Sequence, residues 1–181
     1  MNNYRKLSGA DQTRLHTWWQ SLDKNRGERA QLRRASSPDD VLLTPAFAGF
    51  LREMPENWGV TSGEQGVRIS DTAMVAAILA RVKENKESGS FATALAQPKK
   101  SGEKAAMSEL RFQQLQRSRT EQEFFMRICR ALALLKNKVN IISLADDVLH
   151  WLTEFRCAPA THPEKRLAVK WASEYYAAYR D

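Results

Sequence analysis

The sequence predicts an all-α protein, a helical bundle of about seven or eight helices that forms one domain or two small lobes. Two observations carry this prediction. Apolar residues recur three and four positions apart far more often than they alternate, and helix-start signals, in which a hydroxyl or proline precedes an apolar stripe, punctuate the chain. Composition agrees: 43% hydrophobic and 27% charged residues over 181 positions supply enough apolar side chain for a core and exclude wholesale disorder. No segment reads convincingly as a strand.

The first helix is expected over residues 10–23, where Leu15, Trp18, Trp19 and Leu22 form a stripe at i, i+3, i+4 and i+7 that faces a core. Residues 24–27 connect it to a short helix, ERAQLRRA. In SSPDD, Ser37 as cap and Pro38 as first helical residue restart the helical path. Pro45 opens PAFAGFLREM. The segment PENWGVTSGEQG, residues 55–66, holds one proline and three glycines and reads as a loop. It divides the chain into an N-terminal helical region, 1–60, and a C-terminal bundle, 61–181, unless the two form one continuous domain.

Ser70 is placed to cap a helix reaching about Asn85 that buries Met74, Val75, Ile78, Leu79 and Val82. A polar stretch leads to the short FATALAQ segment, and PKKSGEK follows as a lysine-rich surface loop. After MSELRFQQLQRSR, Thr120 and Glu123 have the spacing of a capping box before Phe124, Phe125, Ile128, Leu132 and Leu135. Ser143 is expected to begin the next helix, carrying Leu144, Val148, Leu149, Trp151 and Leu152, with Asp146 and Asp147 in its first turn. A second box, Thr161 with Glu164, and Pro163 open a last helix striped by Leu167, Trp171, Tyr175 and Tyr179.

Catalysis finds little support. There is no Ser/His/Asp arrangement, glycine-rich phosphate loop or HExxH pair. The adjacent acids, Asp39 with Asp40 and Asp146 with Asp147, fall in predicted first turns, where carboxylates satisfy orphan amides. His16, His150 and His162 are scattered, so no metal or other cofactor is expected. Cys129 and Cys157 are expected to be buried free thiols. No run approaches the roughly 18 apolar residues that span a bilayer, and MNNYRKLSGADQ lacks the apolar stretch of a signal peptide. The expected location is the cytoplasm, with no membrane partner.

Charge is the informative feature. Lysine and arginine number 28 against 21 acids, giving +7, which favours a polyanionic partner. Between Lys24 and Arg34, five basic residues (Lys24, Arg26, Arg29, Arg33, Arg34) face one acid, Glu28. A second group comprises Lys99, Lys100, Lys104, Arg111, Arg117 and Arg119 against Glu103 and Glu109, followed by Arg127, Arg130, Lys136 and Lys138. Arg127 and Arg130, three apart opposite an apolar stripe, should project together away from the core. The bland alternative is that such residues solvate a surface and complement helix dipoles. No zinc finger, RNP signature or GXXG loop is present, so the binding expected is to phosphate backbone and tolerant of sequence.

AQLRRASSPDDVLLTPAF, Ala30 to Phe47, together with LRFQQLQRSRT, Leu110 to Thr120, resembles the CasB family, the small subunit of the type I-E CRISPR Cascade surveillance complex. The resemblance implies a helical protein without enzymatic activity, present in two copies beside other Cascade subunits, that helps hold the R-loop in antiviral defence. Basic residues would contact the target strand or the displaced DNA strand, while the crRNA supplies specificity by base pairing. Carried over by position, the family's basic residues fall on Arg34, Arg111, Arg117 and Arg119, with Arg68 and Arg127 on further basic positions. The charge pattern adds Arg33, Lys99, Lys100 and Arg130 as candidate nucleic-acid contacts. The PKKSGEK loop and the tyrosine-rich end depart from the family. Two other readings remain at this stage: a helical protein-protein adaptor docking through its aromatic C-terminal helix, and a transcriptional regulator with a helix-turn-helix between Phe124 and Leu152. The connector from Asn137 to Ser143 is long for the latter.

Overall fold

The computed structural model describes residues 6–61, 65–98 and 100–179. Helices dominate, as expected, and the chain divides into two compact units, one of Leu7–Arg81 and one beginning at Val82. The division thus falls after the loop at 55–66, because that segment belongs to the first unit. Its residues Trp58–Val60 form β1, which pairs in parallel with β2, Val67–Arg68. Gly59 allows the turn of chain there: its φ is +81°, and a Cβ would lie 2.7 Å from Leu51 Cδ2.

The first unit contains α1 (Gly9–Ser21), α2 (Arg26–Arg34), α3 (Pro38–Leu42), α4 (Pro45–Glu53) and α5 (Ile69–Leu79). Helix α5 is its centre, with every residue from Asp71 to Ala80 buried. A helix apolar all round is stable only when neighbours cover it on every side, and α2, α3, α4 and β1 do so. The expected core stripe of α1 is buried, and Trp18 packs on Phe50 at 4.3 Å, which meets Trp58 edge-on at 6.1 Å. Local caps follow the sequence closely. Ser37 and Asp40 form a capping box with Pro38 in the first turn, and Thr44 caps α4. Asp11 is used twice, closing a capping box with Ser8 and accepting the indole N–H of Trp58 at 2.9 Å.

Two expectations for α5 fail. Arg68, not Ser70, is its N-cap. The helix also stops well short of Asn85, because residues 83–86 are drawn into extended pairing: Lys83 N–H donates to Asn137 O at 2.8 Å and Lys86 N–H to Val139 O at 2.9 Å. Arg81 closes this end of the unit. Its guanidinium donates to Ala35 O at 2.7 Å and to Ala77 O at 2.5 Å, satisfying carbonyls that helix ends leave open.

The second unit contains β3 (Glu84–Asn85), α6 (Phe91–Ala96), α7 (Glu109–Gln116), α8 (Glu121–Leu134), β4 (Lys138–Val139), α9 (Ile141–Arg156), a 3-10 turn (Pro163–Lys165) and α10 (Leu167–Ala178). Strands β3 and β4 pair in parallel, so the helices are accompanied by two short strand pairs that the hydrophobic periodicity did not announce. Asn140 caps α9 by accepting from the N–H groups of Ile142 and Ser143. The helix therefore starts before Ser143, whose hydroxyl instead accepts the Phe91 N–H at 3.1 Å. This start moves Asp146 and Asp147 out of the first turn and into the buried middle of α9. Asp147 accepts from Lys170 Nζ at 2.5 Å and from Trp171 Nε1 at 2.8 Å. It is a structural ion-pair residue of the core.

The C-terminal helix is also capped differently than expected. No capping box joins Thr161 to Glu164; Leu167 N–H is met by Glu154 Oε1, from α9, at 3.0 Å. Of the stripe, Leu167, Trp171 and Tyr175 are buried, chiefly against α6. The Cys expectation needs correction too: no disulfide joins the two cysteines, but Cys129 is only half-buried and Cys157 is exposed, since α9 ends at Arg156. Among the described residues no helix is long and apolar enough to cross a membrane.

Two groups on α10 set an alkaline limit. Burial, then negative charge from neighbours, pushes the Tyr175 phenol above its ordinary 10.0; it stacks on Phe112 at 4.0 Å and donates to Met107 O at 2.7 Å. Burial pulls the Lys170 ammonium down, but attraction to Asp147 outweighs it, and its pKa lies above 10.5. Both groups hold a proton longer when folded, so their contribution is complete below their unfolded values and is lost as pH rises through the folded ones. A melting series should show Tm falling above about pH 10, and Tyr175→Phe should lose less between about pH 8 and 11 than the wild-type chain.

Candidate nucleic-acid interface

The first basic group lies on the Leu7–Arg81 unit. Lys24, Arg26, Arg33 and Arg34 are exposed, and Arg26 and Arg33, seven positions apart on α2, share a face. Arg29 is different: it is half-buried, 3.1 Å from Asp23 and 5.8 Å above the Trp19 ring, and burial lowers its pKa against the pull of Asp23. It belongs to the fold. Arg33 and Arg34 stand in the last turn of α2, where the helix dipole alone favours cations. Arg68 has no such explanation. It is exposed at the N-cap of α5, the end at which the dipole opposes a positive charge.

The second group lies on the unit beginning at Val82 and is built around the turn between α7 and α8. Arg111 is exposed on α7, Arg117 is that helix's C-cap, and Arg119 precedes the Thr120 cap of α8. The turn is tightly held. Ser118 Oγ donates to Leu115 O at 2.8 Å, and Arg119 N–H donates to Glu123 Oε2 at 2.6 Å. The Thr120 box is thus half-made: Thr120 Oγ1 accepts the Glu123 N–H, while the Glu123 carboxylate reaches one residue further back.

Arg127 completes this clamp instead of projecting outward with Arg130. It is half-buried, lies 2.6 Å from Glu123 Oε1, and donates to Gln114 O and to Ser118 Oγ. It holds in place the turn that carries Arg117 and Arg119. The i,i+4 spacing of Glu123 and Arg127 was a legible signal for that pairing. Arg130, Lys100 and Lys104 are exposed. Lys138 is ion-paired with Glu84 at 2.5 Å. Lys99 lies outside the described residues.

None of Arg33, Arg34, Arg68, Lys100, Arg111, Arg117, Arg119 and Arg130 is within ion-pair distance of a carboxylate among the described residues. Guanidinium groups free of intramolecular partners can donate in a fork to phosphate oxygens. The acid pairs do other work. Asp40 accepts from Ser36 Oγ at 2.8 Å and from the N–H groups of Ser36 and Ser37, and these bonds, led by the Ser36 hydroxyl, hold its pKa below the usual carboxylate value. A helix-turn-helix is also disfavoured, since α9 is buried from Leu144 to Leu152 and so has little free face for a DNA groove.

The sequence model of one protein family, described as CRISPR-associated protein Cse2, matches residues 28–176. No curated protein and no solved structure matches.

Proposed function

The chain belongs to the CRISPR-associated protein Cse2 family, the small subunit of the type I-E Cascade complex, and from that membership we propose that it is a non-catalytic, cytoplasmic subunit that stabilises the R-loop. It does so by binding the backbone of the target or displaced DNA strand without reading sequence, beside crRNA, other Cascade subunits and a second copy of itself. The observation that carries the reading is the set of exposed, carboxylate-free arginines at the α7–α8 turn, Arg111, Arg117 and Arg119, held by a clamp that leaves their own side chains open. Each phosphate neutralised on a single strand releases about 0.7 counterion, so three contacts alone give a slope of log K against log salt near −2.

A salt titration tests it. The full chain, with a fluorescent single-stranded DNA of mixed sequence, should lose affinity between about 50 and 200 mM salt with a slope of about −2 or steeper, and a shuffled sequence should behave alike. A flat titration, or strong discrimination between the two sequences, would overturn the reading.

A further inference from the structure

A cavity of about 200 Å³ opens in the second unit between the α7–α8 turn, α9 and α10, and we infer that it receives one unstacked nucleobase of the strand held by Arg117 and Arg119. This inference rests on the backbone-binding reading above and adds a base subsite to it.

Four observations converge on the cavity. The first is an aromatic file running from core to surface: Phe124 stacks on Trp151 at 3.9 Å and 2°, and Trp151 stacks on Phe155 at 4.8 Å and 12°. Trp151 and Phe155 line the cavity, and Phe155, at the end of the file, is 43% exposed. A flat ring left open at the end of a stack offers the platform on which single-strand binders place bases. The second is size, since an apolar cavity of about 150 Å³ is known to admit a benzene ring.

The third is polar demand. Gln116 lines the cavity, and its Nε2 is buried without a hydrogen-bond partner. Such a donor carries a desolvation cost until an acceptor arrives. Every nucleobase brings ring or carbonyl acceptors; an aliphatic or phenylalanine side chain brings none. The fourth is charge. Ser118 is in the cavity wall, and its chain neighbours Arg117 and Arg119 are exposed, so flanking phosphates find cations at the rim. Glu154 is in the wall itself; its carboxylate repels a phosphate but can accept from an exocyclic amino group. The base enters and the backbone stays outside.

The test compares two polymers on the full chain: a short oligodeoxynucleotide with one 2-aminopurine, and a sugar-phosphate strand of equal length that is wholly abasic. Phe155→Ala removes the platform, and Ala168→Leu, at an exposed position of the wall, narrows the cavity while keeping the rings. Each variant should weaken the base-bearing strand about tenfold and abolish 2-aminopurine quenching, with Tm, salt slope and affinity for the abasic strand unchanged. Wild-type chain that holds both strands equally, with its salt slope intact, overturns the base subsite alone. Wild-type chain that holds neither overturns the backbone reading with it. Variants that keep oligonucleotide affinity but no longer assemble with protein subunits would assign the cavity to a side chain of a partner, and would also overturn the inference.

Discussion

Asp147→Ala is expected to destabilise the second unit by about 3 kcal/mol, which corresponds to a fall in Tm of about 10 °C or more. The carboxylate is 1% exposed and serves two donors, Lys170 Nζ and Trp171 Nε1. Alanine leaves the indole N–H unpaired in the core, and it strands an ammonium that is only partly able to reach water, being 28% exposed. That partial exposure places the effect at the lower end of the range for breaking a buried pair. Burial raises the Asp147 pKa and Lys170 pulls it back, so the pair itself adds little net stability although removing half of it costs much. Asp147→Asn, which keeps an acceptor for Trp171, should therefore lose markedly less. Thermal melts of the three proteins decide the point: an alanine variant within about 2 °C of wild type would mean that α9 and α10 do not depend on this contact.

The second large effect is expected from neutralising the α7–α8 turn. Arg111→Gln, Arg117→Gln and Arg119→Gln combined should flatten the slope of log K against log salt on single-stranded DNA by about 2 and weaken binding about a hundredfold near 0.1 M salt, with little change in Tm. Arg127→Gln is the instructive contrast. Its guanidinium is engaged by Glu123, Gln114 and Ser118, so its removal should lower Tm and loosen the turn more than it changes the slope. Equal slope changes from the triple variant and from Arg127→Gln would mean that the clamp and the contact surface have been wrongly separated.

Helix existence and core stripes were legible in the sequence because they depend on local spacing. Leu15, Trp18, Trp19 and Leu22 are buried together, and Ser37 with Pro38 and Thr44 with Pro45 start helices that their own side chains cap. What escaped was set by distant partners. Nothing near Leu167 says that its N–H is met by Glu154, and nothing near Ser143 says that its hydroxyl belongs to Phe91. The same holds for the short strands, since residues 83–86 leave the helical path only because Asn137 and Val139 offer carbonyls to them. In the candidate interface, charge runs located the cations. The separation of Arg29 and Arg127, which are engaged by carboxylates, from Arg111, Arg117 and Arg119, which are not, required the folded chain.

The division at Arg81 and Val82 bears on how the protein is made. The helices that surround α5 all precede it in the chain, and Arg81 completes their closure, so this unit has its partners as soon as it clears the ribosomal exit tunnel, and domains fold as units from the N-terminus during synthesis. The second unit must wait. Asp147, Phe91 and Phe112 find Trp171 and Tyr175 only when translation has passed α10, and until then their apolar surface is open to chaperones.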